Sequence, residues 1–319
     1  MSATEVPFEA PLVELRRRIE ELESYPRESG RQKELGRLRS ELRKATAEVY
    51  SDLSRWEKTL VARHDNRPHT LDYVEGLVTD WLELAGDRGW GEDPAIVAGF
   101  GTFRGRSIAL VGHQKGRSTR ERIRRNFGQP RPEGYRKALR IMKTAEKFGL
   151  PVLCLVDTPG AYPGVGAEER GQAEAIARNL REMSVLETPV VVVVTGEGGS
   201  GGALALGVGD RVYMLEYSIY SVISPEGCAA ILWKDQEKRE AAAEALRLTA
   251  PDLLDLDVID DIIEEPLGGA HTDPEATFRR VGDVVERAFR ELAKLSPAKL
   301  VAARYDRFRA LGKVTTGKK

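Results

Sequence analysis

A glycine-rich turn directly follows a run of five valines. Those valines, at 190–194, come after Pro189 and are typical of a buried strand. Residues 195–203 then read Thr-Gly-Glu-Gly-Gly-Ser-Gly-Gly-Ala and lead into an Ala/Leu run that favours a helix. Glycines let a ligand approach the main chain closely, and the first N–H groups of a helix have no partner within it. The segment therefore predicts a strand–turn–helix unit with an anion or oxyanion site made of backbone.

A second glycine-rich turn precedes the first by one strand and one helix. The apolar run 152–156 predicts a strand, and 157–169 read Asp-Thr-Pro-Gly-Ala-Tyr-Pro-Gly-Val-Gly-Ala-Glu-Glu. If the two strands are parallel neighbours, both turns open at the same sheet edge, where ligands of α/β sheets bind. Either turn alone is explained by tight-turn geometry, whereas the pair favours a site. The acids nearby are candidates to orient a ligand or to begin a helix: Asp157, Glu168, Glu169, Glu197 and Glu226.

Strand and helix patterns alternate through most of the chain. Apolar runs at 95–103 and 107–112 flank Arg104-Gly105 and predict a hairpin. The other patterns predict helices at 71–84, 134–148, 168–186, 225–234 and 273–311, and strands at 212–216, 220–223 and 258–263. This alternation is typical of an α/β core with largely parallel strands and both sheet faces covered.

The N-terminal region follows a different pattern. Apolar residues recur at three- and four-residue spacing before and after a break at 26–30, with charges between them. This predicts a helical hairpin with a narrow apolar stripe. Packing on its own domain and an oligomer interface explain the stripe equally well. At the other end, residues 313–319 predict a disordered polar tail.

Composition weighs against several classes of function. The 319 residues include 49 Lys+Arg and 50 Asp+Glu. The chain therefore has no excess of positive charge whose electrostatic field would attract nucleic acid or membranes. Cys154 and Cys228 lie in apolar surroundings and predict buried thiols of a reducing compartment. The four histidines are scattered, so we expect no metal site. No leader or membrane-spanning pattern occurs in the sequence, and the expected location is cytoplasmic.

Two familiar motifs match the first turn. GxGxxG is matched by Gly196, Gly198 and Gly201, as in dinucleotide-binding folds. GxSxG is matched around Ser200, as in a serine-hydrolase elbow, with His271 as the downstream histidine available for the base. A glycine-rich run matches such short patterns easily, so neither interpretation is favoured.

The densest positive run lies at 115–125. Its cations are opposed by Glu121 alone. They predict contact with phosphates or an acidic partner, or else a solvated basic face. Nucleic-acid binding is not favoured, because no recognised module surrounds the run. The cations are Lys115, Arg117, Arg120, Arg122, Arg124 and Arg125.

Several longer motifs match one family. They are Gly-His-Gln-Lys-Gly-Arg at 112–117, Arg-Arg-Asn-Phe-Gly at 124–128, Pro-Glu-Gly-Tyr-Arg-Lys-Ala at 132–138, and the segments 157–170, 196–209 and 221–228. In these the chain resembles, over nearly its whole length, the alpha subunit of the carboxyltransferase component of bacterial-type acetyl-CoA carboxylase. The resemblance implies an α/β crotonase-like spiral of ββα units with an N-terminal helical hairpin. It implies a helical interface segment at 1–68, a carboxyltransferase domain at 69–296, and a C-terminal helix with a tail at 297–319.

The resemblance also implies the chemistry. Members of the family transfer a carboxyl group from carboxybiotin to acetyl-CoA, giving malonyl-CoA for fatty acid biosynthesis. The backbone N–H groups of Gly201 and Gly202 are implied to bind the biotin ureido oxygen, and a register shifted to Gly202 and Ala203 stays open. The implied lining of the bound group is Gly198, Gly199, Ala203, Gly160, Ala161, Glu226 and Gly227. The residues implied to contact phosphates or a partner are Lys115, Arg117, Arg124 and Arg125.

Partners are implied by the same resemblance. The alpha subunit acts with a beta subunit of the same fold in an alpha2-beta2 assembly, together with biotin carboxylase and the biotin carboxyl carrier protein. The family's zinc lies in the beta subunit. The second oxyanion site, for the acetyl-CoA enolate, is implied in the beta subunit, so the alpha chain alone is expected to be inactive.

Overall fold

A mixed sheet forms the centre of the molecule. The computed structural model describes residues 6–25 and 29–312. Within them the strands are β1 (Thr79–Glu83), β2 (Ile96–Phe103), β3 (Arg106–His113), β4 (Val152–Thr158), β5 (Val190–Gly199), β6 (Arg211–Leu215), β7 (Ile219–Ser221) and β8 (Asp261–Ile263). The strand order is β1-β2-β3-β4-β5-β6-β8, with β7 paired to the end of β5. β1, β2 and β3 are antiparallel, and every pairing from β3 onward is parallel.

Helices cover both faces of this sheet. They are α1 (Ala10–Glu23), α2 (Ser29–Tyr50), α3 (Arg55–Ala62), α4 (Thr70–Leu77), α5 (Thr119–Arg124), α6 (Pro132–Lys147), α7 (Val165–Glu169), α8 (Gln172–Ser184), α9 (Ser200–Leu204), α10 (Pro225–Trp233), α11 (Arg239–Leu246), α12 (Ala250–Asp255), α13 (Pro274–Leu292) and α14 (Pro297–Ala310). In β5, Val192 packs with α6 and α12 on one face, and Val193 packs with α4 and α13 on the other. Because both faces are buried, every position of this strand favours an apolar residue, which explains the unbroken valine run.

The structure confirms the predicted hairpin and α/β core and corrects three elements. β2 and β3 pair up to Phe103 and Arg106 around the predicted turn. The predicted helix 71–84 is wrong in its second half, which forms the edge strand β1. The predicted helix 168–186 is two helices, because Gly171 adopts a positive φ of 81° between them. The predicted helix 273–311 is also two helices, α13 and α14.

The N-terminal hairpin packs within the chain. Ile19 of α1 is buried against Leu35 and Leu38 of α2. At the base of the hairpin, Leu12 and Tyr50 pack together with residues of the main body. The apolar stripe is therefore covered by the hairpin itself, and its role at an oligomer interface stays a prediction. Residues 26–28 of the predicted break and the predicted tail at 313–319 lie outside the described residues.

The C-terminal helix α14 is fastened to the sheet by a buried arginine. The Arg304 guanidinium forms two hydrogen bonds to the Asp210 carboxylate, at 2.9 and 2.8 Å. It also donates to the carbonyls of Met183, Leu186 and Thr188. Its side chain has no exposed surface. A buried charge is stable only when it is paired and hydrogen-bonded, and Arg304 meets both conditions. These contacts fix α14 to the sheet, so α14 is part of the core structure.

Candidate active site

The two glycine-rich turns meet at one edge of the sheet. β4 and β5 are parallel neighbours, with Thr158 opposite Gly198, so the predicted adjacency is confirmed. A Cβ on Gly202 would lie 2.6 Å from the carbonyl carbon of Gly160 and 2.8 Å from the nitrogen of Ala161. A contact that short with backbone leaves no room for a side chain. Glycine at 202 is therefore required by the approach of the two turns.

The start of α9 presents backbone donors at this junction. Gly199 is the N-cap of the helix and Ser200 its first residue. In such a helix the N-cap carbonyl accepts from the Ala203 N–H, while the N–H groups of Gly201 and Gly202 have no partner within the helix. This geometry favours the predicted donor pair Gly201 and Gly202 over the register shifted by one residue.

The other predicted lining residues belong to the two glycine turns and to the start of α10. A Cβ on Gly199 would lie 2.3 Å from the Pro159 carbonyl oxygen, which places Gly199 against the second turn, whereas a Cβ on Gly198 would lie 2.8 Å from the Tyr220 ring of β7. Ala203 is fully buried. Glu226 and Gly227 lie in the first turn of α10, where the Gly227 N–H donates to the Ser224 hydroxyl at 3.1 Å.

An apolar groove of about 380 Å³ opens beside Gly201. Its walls include Ser200, Gly201, Leu204, Tyr220, Val222, Leu253 and Phe308. Among the described residues no histidine lines this groove. His271 instead stacks on His64, with ring centroids 3.8 Å apart. The Ser200 hydroxyl thus lies in a groove without a histidine base, which disfavours the serine-hydrolase interpretation.

A polar cavity of about 240 Å³ reaches the same turns at Asp157 and Glu197. The Lys115 ammonium lies 2.7 Å from an oxygen of Asp157 and 3.0 Å from an oxygen of Glu197. Arg63 bridges Glu197 and Glu226, with nitrogen–oxygen distances of 2.6 Å to each. We call these five residues the charged network. It ties both turns and the start of α10 to the end of α3.

Three members of the charged network, Glu197, Glu226 and Lys115, have pKa values shifted in the direction that favours their charged forms. Burial opposes ionisation of Glu197, but Lys115 and Arg63 outweigh it and lower the pKa of Glu197 to about 2. Burial likewise disfavours the charged Lys115, yet Asp157 and Glu197 raise its pKa above the ordinary value. Arg63 lowers the pKa of Glu226 against the effect of burial. Glu197 and Glu226 therefore have no proton to donate at neutral pH, and neither carboxyl is available as an acid catalyst.

The basic run is largely paired with the protein's own groups. Arg117 forms two hydrogen bonds to Asp72, and Arg122 lies 2.7 Å from Asp65. Arg125 donates to the Pro94 carbonyl at 2.8 Å. Arg120 and Arg124 are exposed. Of the four residues predicted to contact phosphates or a partner, Arg117 and Arg124 are exposed, whereas Lys115 belongs to the charged network.

Comparison with known proteins assigns the family. The family model of acetyl co-enzyme A carboxylase carboxyltransferase-like proteins matches residues 5–312. The chain belongs to this carboxyltransferase family.

Curated relatives match over nearly the full length of this carboxyltransferase. The acetyl-coenzyme A carboxylase carboxyl transferase subunit alpha of Geobacter metallireducens is 55% identical over 313 residues, covering 98% of each chain. The protein of the same name from Geobacter sulfurreducens is 60% identical over 269 residues, covering 84% of each chain.

A solved structure confirms the crotonase-like fold of the carboxyltransferase. The match is a chain of a Pseudomonas malonate decarboxylase hetero-tetramer in complex with coenzyme A, with a TM-score of 0.58 and 16% identity. It covers 75% of this chain and 94% of that one. In the described parts of the carboxyltransferase, no group of three or more His, Cys, Asp or Glu is placed to hold a metal ion. The described helices are all too short or too polar to cross a membrane.

Two residues of the carboxyltransferase site escaped sequence reasoning. Arg63 lies in a helical region without a functional motif, and its partners Glu197 and Glu226 follow far along the chain. His113 lies inside the Gly-His-Gln-Lys-Gly-Arg motif, yet nothing local indicated that the sheet would bury it completely. Only the topology brings these residues to the glycine turns.

Proposed function

We propose that this chain is the carboxyltransferase alpha subunit of an acetyl-CoA carboxylase and that Gly201 and Gly202 bind the ureido oxygen of carboxybiotin. The main support is the junction of the two glycine turns. There the N–H groups of Gly201 and Gly202 have no partner within the helix. The backbone of the second turn lies so close that no side chain fits at position 202. Backbone donors of this kind are preorganised and carry no competing charge, as stabilisation of a developing oxyanion requires.

The reaction proposed for this site proceeds in two steps. The bond between the ureido nitrogen and the carboxyl carbon breaks, CO2 is released, and the electron pair stays on the biotin ring, where negative charge develops on the ureido oxygen. The ureido nitrogen then takes a proton from the methyl group of acetyl-CoA, and the resulting enolate attacks CO2 to form malonyl-CoA. Loss of one donor to an oxyanion of this kind lowers the rate by about 10²–10³-fold.

The surroundings of the turn fit a mechanism without a side-chain acid or base. Asp157 and Glu197 are paired with Lys115, and the pKa of Glu197 is lowered to about 2 by its cations. A general catalyst works best with a pKa near the working pH. The biotin nitrogen itself serves as the base in the proposed scheme, so the protein's part is to orient the ring and stabilise its charge.

An exposed apolar surface beside the site supports a partner subunit. Leu204 and Val222 line the groove next to Gly201 and are 43% and 76% exposed. Ile231 and Leu232, near the end of α10, are 62% and 65% exposed. α10 begins three residues after Val222, so these exposed apolar side chains lie on neighbouring segments of the chain. Exposed apolar patches are typical of protein interfaces. We propose that this surface binds the zinc-containing beta subunit, that the pair forms an alpha2-beta2 assembly, and that this assembly works with biotin carboxylase and the biotin carboxyl carrier protein.

The test is carboxyl transfer in the reverse direction. Malonyl-CoA and biocytin are supplied to this chain alone, to a candidate beta subunit alone, and to the co-purified pair, and acetyl-CoA formation is followed. We expect activity in the pair only. Activity of the isolated chain would overturn the shared site, and an inactive but stable pair would overturn the assignment of carboxyl transfer.

A further inference from the structure

Two buried side-chain amides lie on one face of α8. Gln172, Ala175 and Asn179 are buried and recur at three- and four-residue spacing, which places them on the same side of the helix. Gln172 is 5% exposed and Asn179 is 1% exposed. Between them, Ala175 packs in a cluster with Ala205, the C-cap of α9, and Ala161 of the second turn packs against that cluster. This face of α8 is therefore directed at both glycine turns.

Asn179 holds the end of α9. Its amide nitrogen donates to the Ala205 carbonyl at 3.2 Å and to the Tyr135 carbonyl of α6 at 3.1 Å. Ala205 in turn donates its own N–H to the Gly201 carbonyl at 3.1 Å. The Gly201 carbonyl and the Gly202 N–H belong to one planar trans peptide group and point in opposite directions. Through Ala205, Asn179 therefore helps to fix the direction of the Gly202 N–H.

Gln172 holds the second turn in the same way. Its amide nitrogen donates to the Tyr162 carbonyl and to the Pro130 carbonyl, both at 2.9 Å. The Pro130 carbonyl also accepts the Tyr162 N–H at 3.0 Å. Tyr162 directly follows the backbone that limits the room at Gly202. One helix thus holds both of the backbone segments whose approach forms the site.

The orientation of both amides is set by the carbonyls they contact. An Asn or Gln amide is a neutral group with two N–H bonds on one nitrogen, and here each nitrogen donates to two carbonyls. The amide oxygens of Gln172 and Asn179 have no hydrogen-bond partner among the described residues. Turning either amide over would place its oxygen against two carbonyl oxygens. A buried amide oxygen without a partner is costly, so an apolar side chain would serve packing better, and the amides are explained by the carbonyls that they hold.

We infer that Asn179 and Gln172 are positioning residues for the reaction: Asn179 aims the backbone donors at the start of α9, and Gln172 holds the second turn against them. Glycine has the greatest backbone freedom of any residue, so a turn built on several glycines needs contacts from outside to keep its N–H groups aimed. Donors that are fixed before the reaction stabilise a developing oxyanion best. Neutral amides supply this hold without adding a charge beside the oxyanion. The identity of the oxyanion rests on the proposed function, whereas the hold rests on the hydrogen bonds themselves.

The test removes each amide in the complex with the beta subunit. Asn179→Leu and Gln172→Met keep a side chain of similar size and have no N–H donor. Thr188→Val is the matched control, because the buried Thr188 hydroxyl donates to the Leu150 carbonyl at 2.7 Å. These two residues precede β5 and β4, at the opposite end of the strands from the glycine turns. Two quantities are measured for each variant: hydrogen exchange of single backbone amides, and kcat and KM for reverse transfer from malonyl-CoA to biocytin.

We expect the effects on exchange to be local. Asn179→Leu should speed exchange of the Ala205 amide by about tenfold and leave the Tyr162 amide as in wild type, and Gln172→Met should do the reverse. Both variants should lower kcat by about 10–100-fold, with KM for malonyl-CoA within about twofold of wild type, because misplaced donors weaken stabilisation of the transition state more than binding of the substrate. Thr188→Val should lower thermal stability and keep wild-type kcat.

Two results would overturn the inference. One is wild-type kcat in either amide variant, and the other is a loss of kcat in Thr188→Val as large as theirs, because each would leave the amides a role in stability alone. If Asn179→Leu does not fold, Asn179→Ala replaces it as the variant without a donor. If the wild-type complex transfers no carboxyl group, the proposed function fails, and the exchange measurement still decides whether each amide holds its own turn.

Discussion

Adding one methyl group at Gly202 should separate the two turns that form the site. In Gly202→Ala the new Cβ would lie 2.6 Å from the Gly160 carbonyl carbon. Carbon atoms in contact lie about 3.5–4.0 Å apart, so one turn must move by about 1 Å. Displacements of that size lower catalytic rates by about 10²-fold, and overpacking of this kind lowers the free energy of unfolding by about 1–3 kcal/mol.

Gly201→Ala is the matched comparison. Its Cβ would lie 3.4 Å from the Cδ1 atom of Ile176, the end of a flexible side chain, and the backbone N–H is kept. We expect it to retain more than about a tenth of wild-type kcat in the reverse assay, since only the backbone of Gly201 takes part. The reasoning would be refuted if Gly202→Ala kept more than half of the activity, or if both variants lost activity equally.

Three further predictions concern the charged network and the exposed apolar surface. Lys115→Met leaves Asp157 and Glu197 without the ammonium between them, so we expect the free energy of unfolding in urea to fall by about 3–5 kcal/mol; a change below about 1 kcal/mol would contradict the buried pairing. Because the pKa of Glu197 is lowered from 4.5 to about 2 in the folded chain, its stabilising effect should be complete above pH 4.5 and lost as the pH falls toward 2. Unfolding measured over that range should show a shallower pH slope in Glu197→Gln, and an unchanged slope would count against the low pKa. Leu232→Glu should leave the fold intact and weaken co-purification with the beta subunit by at least about tenfold. The control is Phe148→Glu, at a 67% exposed residue preceding β4, which should bind the beta subunit as wild type does. Equal binding by both variants would place the interface elsewhere.

Local patterns were sufficient for the main elements of the sheet. The valine run fixed β5, and the apolar runs around Arg104 and Gly105 fixed the β2–β3 hairpin. The two glycine turns were expected at one sheet edge, and they meet there because β4 and β5 are parallel neighbours. These features depend on residues that are close in sequence or on the general geometry of parallel sheets.

The errors arose where distant contacts overrule local preference. The region 71–84 has helical spacing, but its second half pairs with β2, and a Cβ on Gly99 would lie 2.2 Å from the Leu82 carbonyl oxygen. Glycine at position 99 thus lets the edge strand β1 pair closely with β2. The spacing of apolar residues within 71–84 does not indicate this pairing. The basic run was expected to contact a partner or solvent, yet Lys115 is held by Asp157 and Glu197. Burial of a charge depends on partners far along the chain, which no local pattern encodes.

The position of Arg304 in the core sets the order in which a newly made chain can mature. Asp210 and the carbonyls of Met183 and Leu186 leave the ribosome well before Arg304 does, and chains emerge from the N-terminus at about 5–20 residues per second. Until α14 has emerged these groups remain hydrated, and the groove beside Gly201 lacks the wall that Phe308 provides. The groove is therefore completed only after every described strand of the sheet has been made, because Phe308 and Arg304 follow all of them along the chain.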